Sequence, residues 1–326
     1  MKELLEKLTQ AYSPSGSERS IREIIKAELA NYETKTDALG NLIVEKKGNG
    51  KKIMFSAHMD EIGIMVTHID KEGFLRFDFI GGVGAYNLPG ERVRFANGTL
   101  GVISVEKLDK IGDLKRESLY IDIGAESREE AEKLVKVGDS AAFISPFIDL
   151  GNRVVSKAMD NRSACTVLVQ LMKELPETDN HIVAVFSVQE EVGLRGATTA
   201  AFSVAPDYGM AIDVTATGDT PKGLTMEVGL GKGAAIKVKD RSIMVHPYVK
   251  EKLIELAEKN NIPYQMEVLE FGGTDAGAIH LSRSGVPSGV LSIPCRYVHS
   301  RSEMIDYRDL EAVLKLAKAF AGADLQ

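Results

Sequence analysis

The 326-residue chain has no tryptophan and two cysteines, Cys165 and Cys295. Two cysteines make no disulfide framework, so a reducing, cytoplasmic setting is expected. Aromatic residues are 6% of the total, which leaves few rings on which a sugar could stack. No apolar run approaches the roughly 18 residues that a membrane span needs. The opening MKELLEKLTQAY has the pattern of an amphipathic helix and not of a signal peptide. There is no basic run, and a net charge of −7 argues against a nucleic-acid partner. A G-x-S-x-G elbow is missing, and with it the usual signature of a serine nucleophile in an α/β hydrolase. Internal repeats and low-complexity tracts are also absent.

What is present is a chain 44% hydrophobic, long enough for about two domains. Its first part and its last half alternate apolar strands with helical patterns. A helix is expected over residues 2–11. A second follows, with Ile21, Ile24, Ile25 and Leu29 on one face, capped by Ser17 or by Ser20 with Glu23. Residues 34–46 read as strand, turn, strand, and residues 51–57 as a buried strand ending in His58-Met59-Asp60. From about residue 66 to 152 the texture changes to short strands punctuated by Gly81, Gly84, Pro89-Gly90 and Asn97-Gly98, with one short helix at 127–135 capped by Ser127. Closely spaced turns of this kind suggest a small β barrel or sandwich. The strand–helix alternation then resumes: a helix after Asp160, strands at 181–188, 208–214, 233–238 and 286–293, and helices at 250–259, about 276–284 and the C-terminal segment capped by Asp306 with Asp309. The expected architecture is α/β, with 1–65 and 153–326 forming one domain and 66–152 inserted in it.

The stretch QEEVGLRGA, Gln189 to Ala197, carries the strongest chemical signal. It follows a continuous β-branched run, as expected for a strand buried on both faces. Such a strand delivers Glu190 and Glu191 to the carboxyl end of a sheet, where ligands bind in open α/β folds. His58 and Asp60, Asp213 and His299 also fall at strand ends, and Asp160 at a helix start. Two imidazoles with several carboxylates suit a borderline divalent metal such as zinc or cobalt, and the set is large enough for two ions. His58 and Asp60, two apart, are expected on one face of a strand, with Asp60 accepting the second ring N–H of His58. Adjacent Glu190 and Glu191 are expected to point apart, one toward a metal and one toward water as general base. The other histidines have plainer explanations: His68 and His181 as surface residues, His246 as a helix-start residue, His280 as a packed one. Cys165 reads as a small core residue. Gly272 and Gly273, with Thr274 and Asp275, form a glycine-rich loop expected at the substrate cleft.

Six motifs, SAHMDEIG, KAMDNRSAC, QEEVGLRGA, AIDVT, FGGTDAGAIH and YVHSRSE, occur in order between positions 56 and 303. Together they resemble the di-metal aminopeptidases of metallopeptidase family forty-two. That group includes tetrahedral, deblocking, glutamyl, leucyl and lysyl enzymes, and relatives labelled endoglucanase. The resemblance implies a three-layer α/β/α catalytic domain with an inserted β-barrel-like dimerisation domain. It implies that Asp160 bridges two ions, zinc or cobalt, one completed by His58 and Asp213 and the other by Glu191 and His299. Glu190 would be the general base and Asp60 the partner of His58. The implied reaction is release of N-terminal residues from short peptides, in dimers assembled into a tetrahedral dodecamer. A glycoside hydrolase is the rival activity, and a related carboxypeptidase or deacylase a nearer one. The preferred N-terminal residue is not legible.

Overall fold

The computed structural model describes residues 1–326. Its larger part is a mixed sheet built around parallel strands. Lys52–His58 lies between His181–Ser187 and Tyr208–Thr215, and Tyr208–Thr215 pairs in parallel with Ser288–Arg296. The antiparallel pair Thr34–Thr36 and Leu42–Lys46 forms one edge. Glu303–Asp306, Arg153–Ser156 and Ile148–Asp149 extend the other.

The apolar runs are continuous because both faces of these strands are covered. Ile53, Phe55, Ile182, Ala184 and Phe186 face the main core of 48 residues, beneath helices Lys2–Thr9, Arg19–Glu28, Met159–Lys173, Pro247–Lys259 and Tyr307–Ala321. Their neighbours Met54, Val183 and Val185 face the opposite side, where Arg195–Val204 and the short helix Ala276–Ile279 pack. Alternate residues of one strand thus serve two helical layers, and the architecture is the expected three-layer α/β/α one.

Strands Gly63–Ile69, Leu75–Ile80, Arg92–Phe95, Leu100–Val105, Leu119–Asp122 and Ser140–Phe143 close into a separate six-stranded barrel. It has its own core of 16 buried residues, among them Ile64, Phe77, Val93, Ile103 and Ile121. Its helix Arg128–Leu134 is capped by Ser127, whose Oγ accepts the Glu130 N–H at 3.3 Å. The barrel strands run from 63 to 143, whereas sequence texture placed the insert at 66–152. The tail of that range, Ile148–Asp149, pairs with the large sheet, because it folds back on Arg153–Ser156.

Several local expectations change. The helix Arg19–Glu28 begins after Glu18 and uses neither serine as a cap. The Ser17 hydroxyl instead meets Ser140 Oγ at 3.2 Å, and the Glu18 carboxylate accepts the N–H groups of Gly16 (2.7 Å) and Gln189 (3.2 Å). Asp306 caps the last helix by accepting the Arg308 N–H at 3.0 Å. Asp309 turns inward, where it accepts the Gly231 and Gly233 N–H groups at 2.7 Å each. The helix expected to 284 stops at Ile279.

Candidate metal centre and catalytic site

The parallel register brings the chemistry together. Ser187 lies level with His58, so the chain leaving that strand carries Glu190 and Glu191 over the end of the neighbouring one. Asp213 lies two residues past Ala211, the level of Ser56. Asp160 comes from the first turn of Met159–Lys173, which is irregular: Asp160 and Asn161 lie outside helical dihedrals and their peptide bond is cis. Asn161 Nδ2 donates to Ile212 O at 2.9 Å, pinning this turn to the strand that carries Asp213. His299 sits in a turn in the left-handed region, φ 62°, an arrangement that costs of order 1–3 kcal/mol in a non-glycine residue and collects at functional sites.

Asp160 stands between the two imidazoles. His58 Nε2 is 3.0 Å from Asp160 Oδ1, and His299 Nε2 is 3.4 Å from Asp160 Oδ2. On the His58 side, Asp213 Oδ1 and Glu190 Oε2 each lie 3.8 Å from Nε2. On the other side, Glu191 Oε2 is 3.3 Å from His299 Nε2. The adjacent glutamates therefore point to different histidines, as expected of neighbours. His58, Asp160 and Glu191, and likewise His58, Glu190 and Asp213, offer atoms within 4.8 Å of one another. Glu190 is as near to His58 as Asp213 is, so distance alone does not separate base from ligand.

Asp60 lies beside His58, as expected, but reaches it from beyond the strand end. The strand ends at His58, so the two residues do not share a strand face. His58 Nδ1 is 3.1 Å from the Asp60 backbone oxygen and 3.4 Å from the carboxylate. The Asp60 carboxylate also accepts the N–H groups of Glu190 (3.0 Å) and Glu191 (3.2 Å) and the Ser15 hydroxyl (2.6 Å). It fixes the main chain of the Glu-Glu pair.

The site is short of positive charge. Burial pushes the Glu190 and Asp213 carboxyls well above the ordinary range and lifts Glu191 to about 8. Burial opposes charge on Asp160 too, but His299 and His58 hold it well below its usual value. The histidines respond in kind. Burial disfavours their charged form, yet Glu190, Asp160 and Asp60 raise His58 far above 6.5, and Asp160 with Glu191 lifts His299 to about 10. Glu191 Oε1 is buried with no hydrogen-bond partner. Clustered, buried carboxylates around two histidines, with an orphan oxygen among them, fit a centre for divalent cations.

A cavity of about 830 Å³ opens over this cluster. Val214, Thr215, Thr217, Leu224, Leu269, Phe271 and Tyr297 form much of its wall, with Gly272 and Gly273. Thr274 and Asp275 do not line it. Thr274 is buried, and the Asp275 carboxylate is turned inward to accept the Ser56 and Ser187 hydroxyls beneath the sheet edge. The barrel also reaches the site. A Cβ on Gly82 would overlap His299 Nδ1, and one on Gly81 would stand 2.9 Å from Glu191 Oε2. Arg301, two residues past His299, pairs with the barrel's Glu91.

Glu303 was not singled out in the sequence. It is buried and accepts the Asp160 N–H (3.0 Å) and the His299 N–H (2.8 Å). An acid four residues beyond a candidate histidine ligand, across a turn, was the available signal. The remaining histidines hold no place here. His181 meets Glu45 at 3.1 Å, His280 Nδ1 lies 2.9 Å from its own helix at Ala276 O, and His68 and His246 are exposed. Cys165 is buried, its thiol pushed up to about 12 by burial.

Residues 40–316 match the family of M42 glutamyl aminopeptidases. The chain belongs to this family. It is 55% identical over 319 residues to a putative aminopeptidase of Acetivibrio thermocellus, covering 97% of each chain. It is 38% identical to the lysyl aminopeptidase of Pyrococcus furiosus, covering 97% of this chain and 95% of that one. Among solved structures, the TET1 peptidase of Pyrococcus horikoshii, described as assembling into a tetrahedron or a large octahedral shell, superposes with a TM-score of 0.90 at 39% identity, covering 98% of each. This M42 member is accordingly a peptide-bond hydrolase of the aminopeptidase type.

Proposed function

We propose that this aminopeptidase works through two divalent ions, zinc or cobalt, and removes N-terminal residues from short peptides. The observation that carries the reading is Asp160, with one carboxylate oxygen toward each imidazole. His58, Asp160 and Asp213 would hold one ion, and Asp160, Glu191 and His299 the other. Bound there, the ions would polarise the scissile carbonyl and acidify the attacking water. Glu190, beside His58 and without an assigned ion, would serve as the general base that accepts a proton from water and passes it to the leaving amine. Asp60 keeps the Glu190 and Glu191 main chain in place, and Gly272 and Gly273 let a peptide approach the cavity wall closely. A sugar substrate is disfavoured by a wall whose only Phe or Tyr rings are Phe271 and Tyr297.

Hydrolysis of amino-acid p-nitroanilides with added zinc or cobalt is the test. The reading requires activity that chelator abolishes and that an N-blocked peptide does not support. Release of C-terminal residues from the blocked peptide would overturn it in favour of a carboxypeptidase.

The assembly belongs to the same proposal. We assign the barrel, which supplies no ligand, to a dimer contact, and the dimers to a tetrahedral dodecamer in the cytoplasm. Exposed Leu100 and Val102 on a barrel strand suit a partner surface. Twelve chains of 35.4 kDa give about 425 kDa in a closed symmetric assembly. Light scattering at micromolar concentration decides this, and a stable, active monomer would refute it.

A further inference from the structure

We infer that Glu303 is a positioning residue that holds the bridging carboxylate and His299 at a fixed separation, and so sets the affinity of one of the two ions more than the other. This rests on the two-ion reading above. Glu303 is 1% exposed. Its two oxygens are divided between two backbone donors: Oε2 takes the Asp160 N–H and Oε1 the His299 N–H, at 3.0 and 2.8 Å. Neither donor has a partner from regular structure. Asp160 is in an irregular first helical turn, where N–H groups are left over, and His299 is in a left-handed turn.

Both donors need an acceptor, and a carboxylate is the side chain that offers two acceptors and no donor. A glutamine in its place would turn an NH2 group against one of the two N–H groups. The local fold explains the placement. Glu303 opens the four-residue strand Glu303–Asp306 and lies level with Ser156 of the strand that leads to Asp160. One short strand thereby sets an acid between two ligand-bearing loops that are far apart in sequence. Asp60 has the matching position on the other side, holding the N–H groups of Glu190 and Glu191.

The two ions are not served equally. Glu303 holds two of the three residues assigned to the Asp160–Glu191–His299 ion. It holds only the shared Asp160 of the other set. Partners of this outer kind change metal affinity by about 10–100-fold.

The experiment uses the full chain as Glu303→Gln and Glu303→Ala. Each is dialysed against zinc buffers of graded free concentration, and metal per chain is measured by mass spectrometry. Glu303→Gln should bind one ion roughly tenfold more weakly and the other with a clearly smaller loss, with larger losses in Glu303→Ala. The more weakened ion should be the one that His299→Ala also loses, and excess zinc should restore kcat to Glu303→Gln. Melting curves of the metal-free proteins separate this from misfolding, and the near-isosteric glutamine keeps the test open if the alanine variant does not fold. Two ions bound at wild-type affinity in Glu303→Gln would overturn the inference. So would equal weakening of both ions, the mark of a merely structural role. A wild type that binds a single ion would strike down the two-ion reading itself.

Discussion

In the barrel, apolar residues face inward, and the one buried carboxylate, Glu91, meets an arginine of the other domain. At the carboxyl edge of the large sheet the opposite holds: Asp60, Asp160, Asp213, Asp275 and Glu303 are drawn inside, with the side chains of Glu190 and Glu191 nearly so. The barrel is held by transfer of apolar area, which needs no ligand. The sheet edge concentrates like charges in a poorly solvated place, a cost that hydrogen bonds, protonation or counter-charge must offset. The barrel interior and the charged sheet edge thus follow different rules within one chain, and they touch at Gly81, Gly82 and the Glu91–Arg301 pair.

Removing metal should widen this contrast most. Chelation should abolish peptidase activity, restored by zinc or cobalt. Hydrogen exchange should quicken around 158–162 and 297–303 while the barrel strands keep their protection. Equal quickening in the barrel would erase the distinction. Next in size is Glu190→Gln, for which we expect a fall in kcat of at least ~10²-fold with both metals retained. If it loses a metal while Glu191→Gln keeps both, the roles of the two glutamates are exchanged.

A pair of substitutions tests the seam between the parts. Ile121→Ala, in the barrel core, should cost about 2–5 kcal/mol of stability and leave metal content unchanged. Gly82→Ala, which presses on His299, should do the reverse and weaken metal binding roughly tenfold at little cost in melting temperature. The same profile from both variants would mean that the barrel and the site are one cooperative unit. The smallest effect concerns substrate charge. Lys222 lines the cavity without an ion-pair partner, while Arg296 is matched by Asp219 at 2.8 Å. Basic N-terminal residues should therefore be the poorest substrates, and Lys222→Glu should shift the lysyl-to-glutamyl rate ratio severalfold, modestly because this lysine is exposed. An unchanged ratio would remove Lys222 from specificity.

The layered fold was legible because both-face burial leaves continuous apolar runs, and the acids and histidines that mark strand ends follow those runs directly. Chain segments without periodicity were less readable. The strands Tyr264–Val268 and Glu303–Asp306 are too short to show a pattern, and with the second of them Glu303 was passed over. Ser17, Ser20 and Asp309 carry capping residue types, but tertiary partners claim the first two hydroxyls and the Asp309 carboxylate. Thr274 and Asp275 share a loop with two cavity glycines, yet the chain turns under the sheet edge between them. Which way a side chain faces after a glycine pair is decided by packing, and local composition does not record it.

The order of residues around the centre has a consequence for biosynthesis. The clustered groups are drawn from positions 58, 160, 191, 213 and 299, and Glu303 ties two of them together. A growing chain can close its barrel once Phe143 has emerged, because every barrel strand is then present. It cannot bring the proposed ligands together until His299 has been added. The peptidase centre is therefore completed late in synthesis, after every barrel strand is already present.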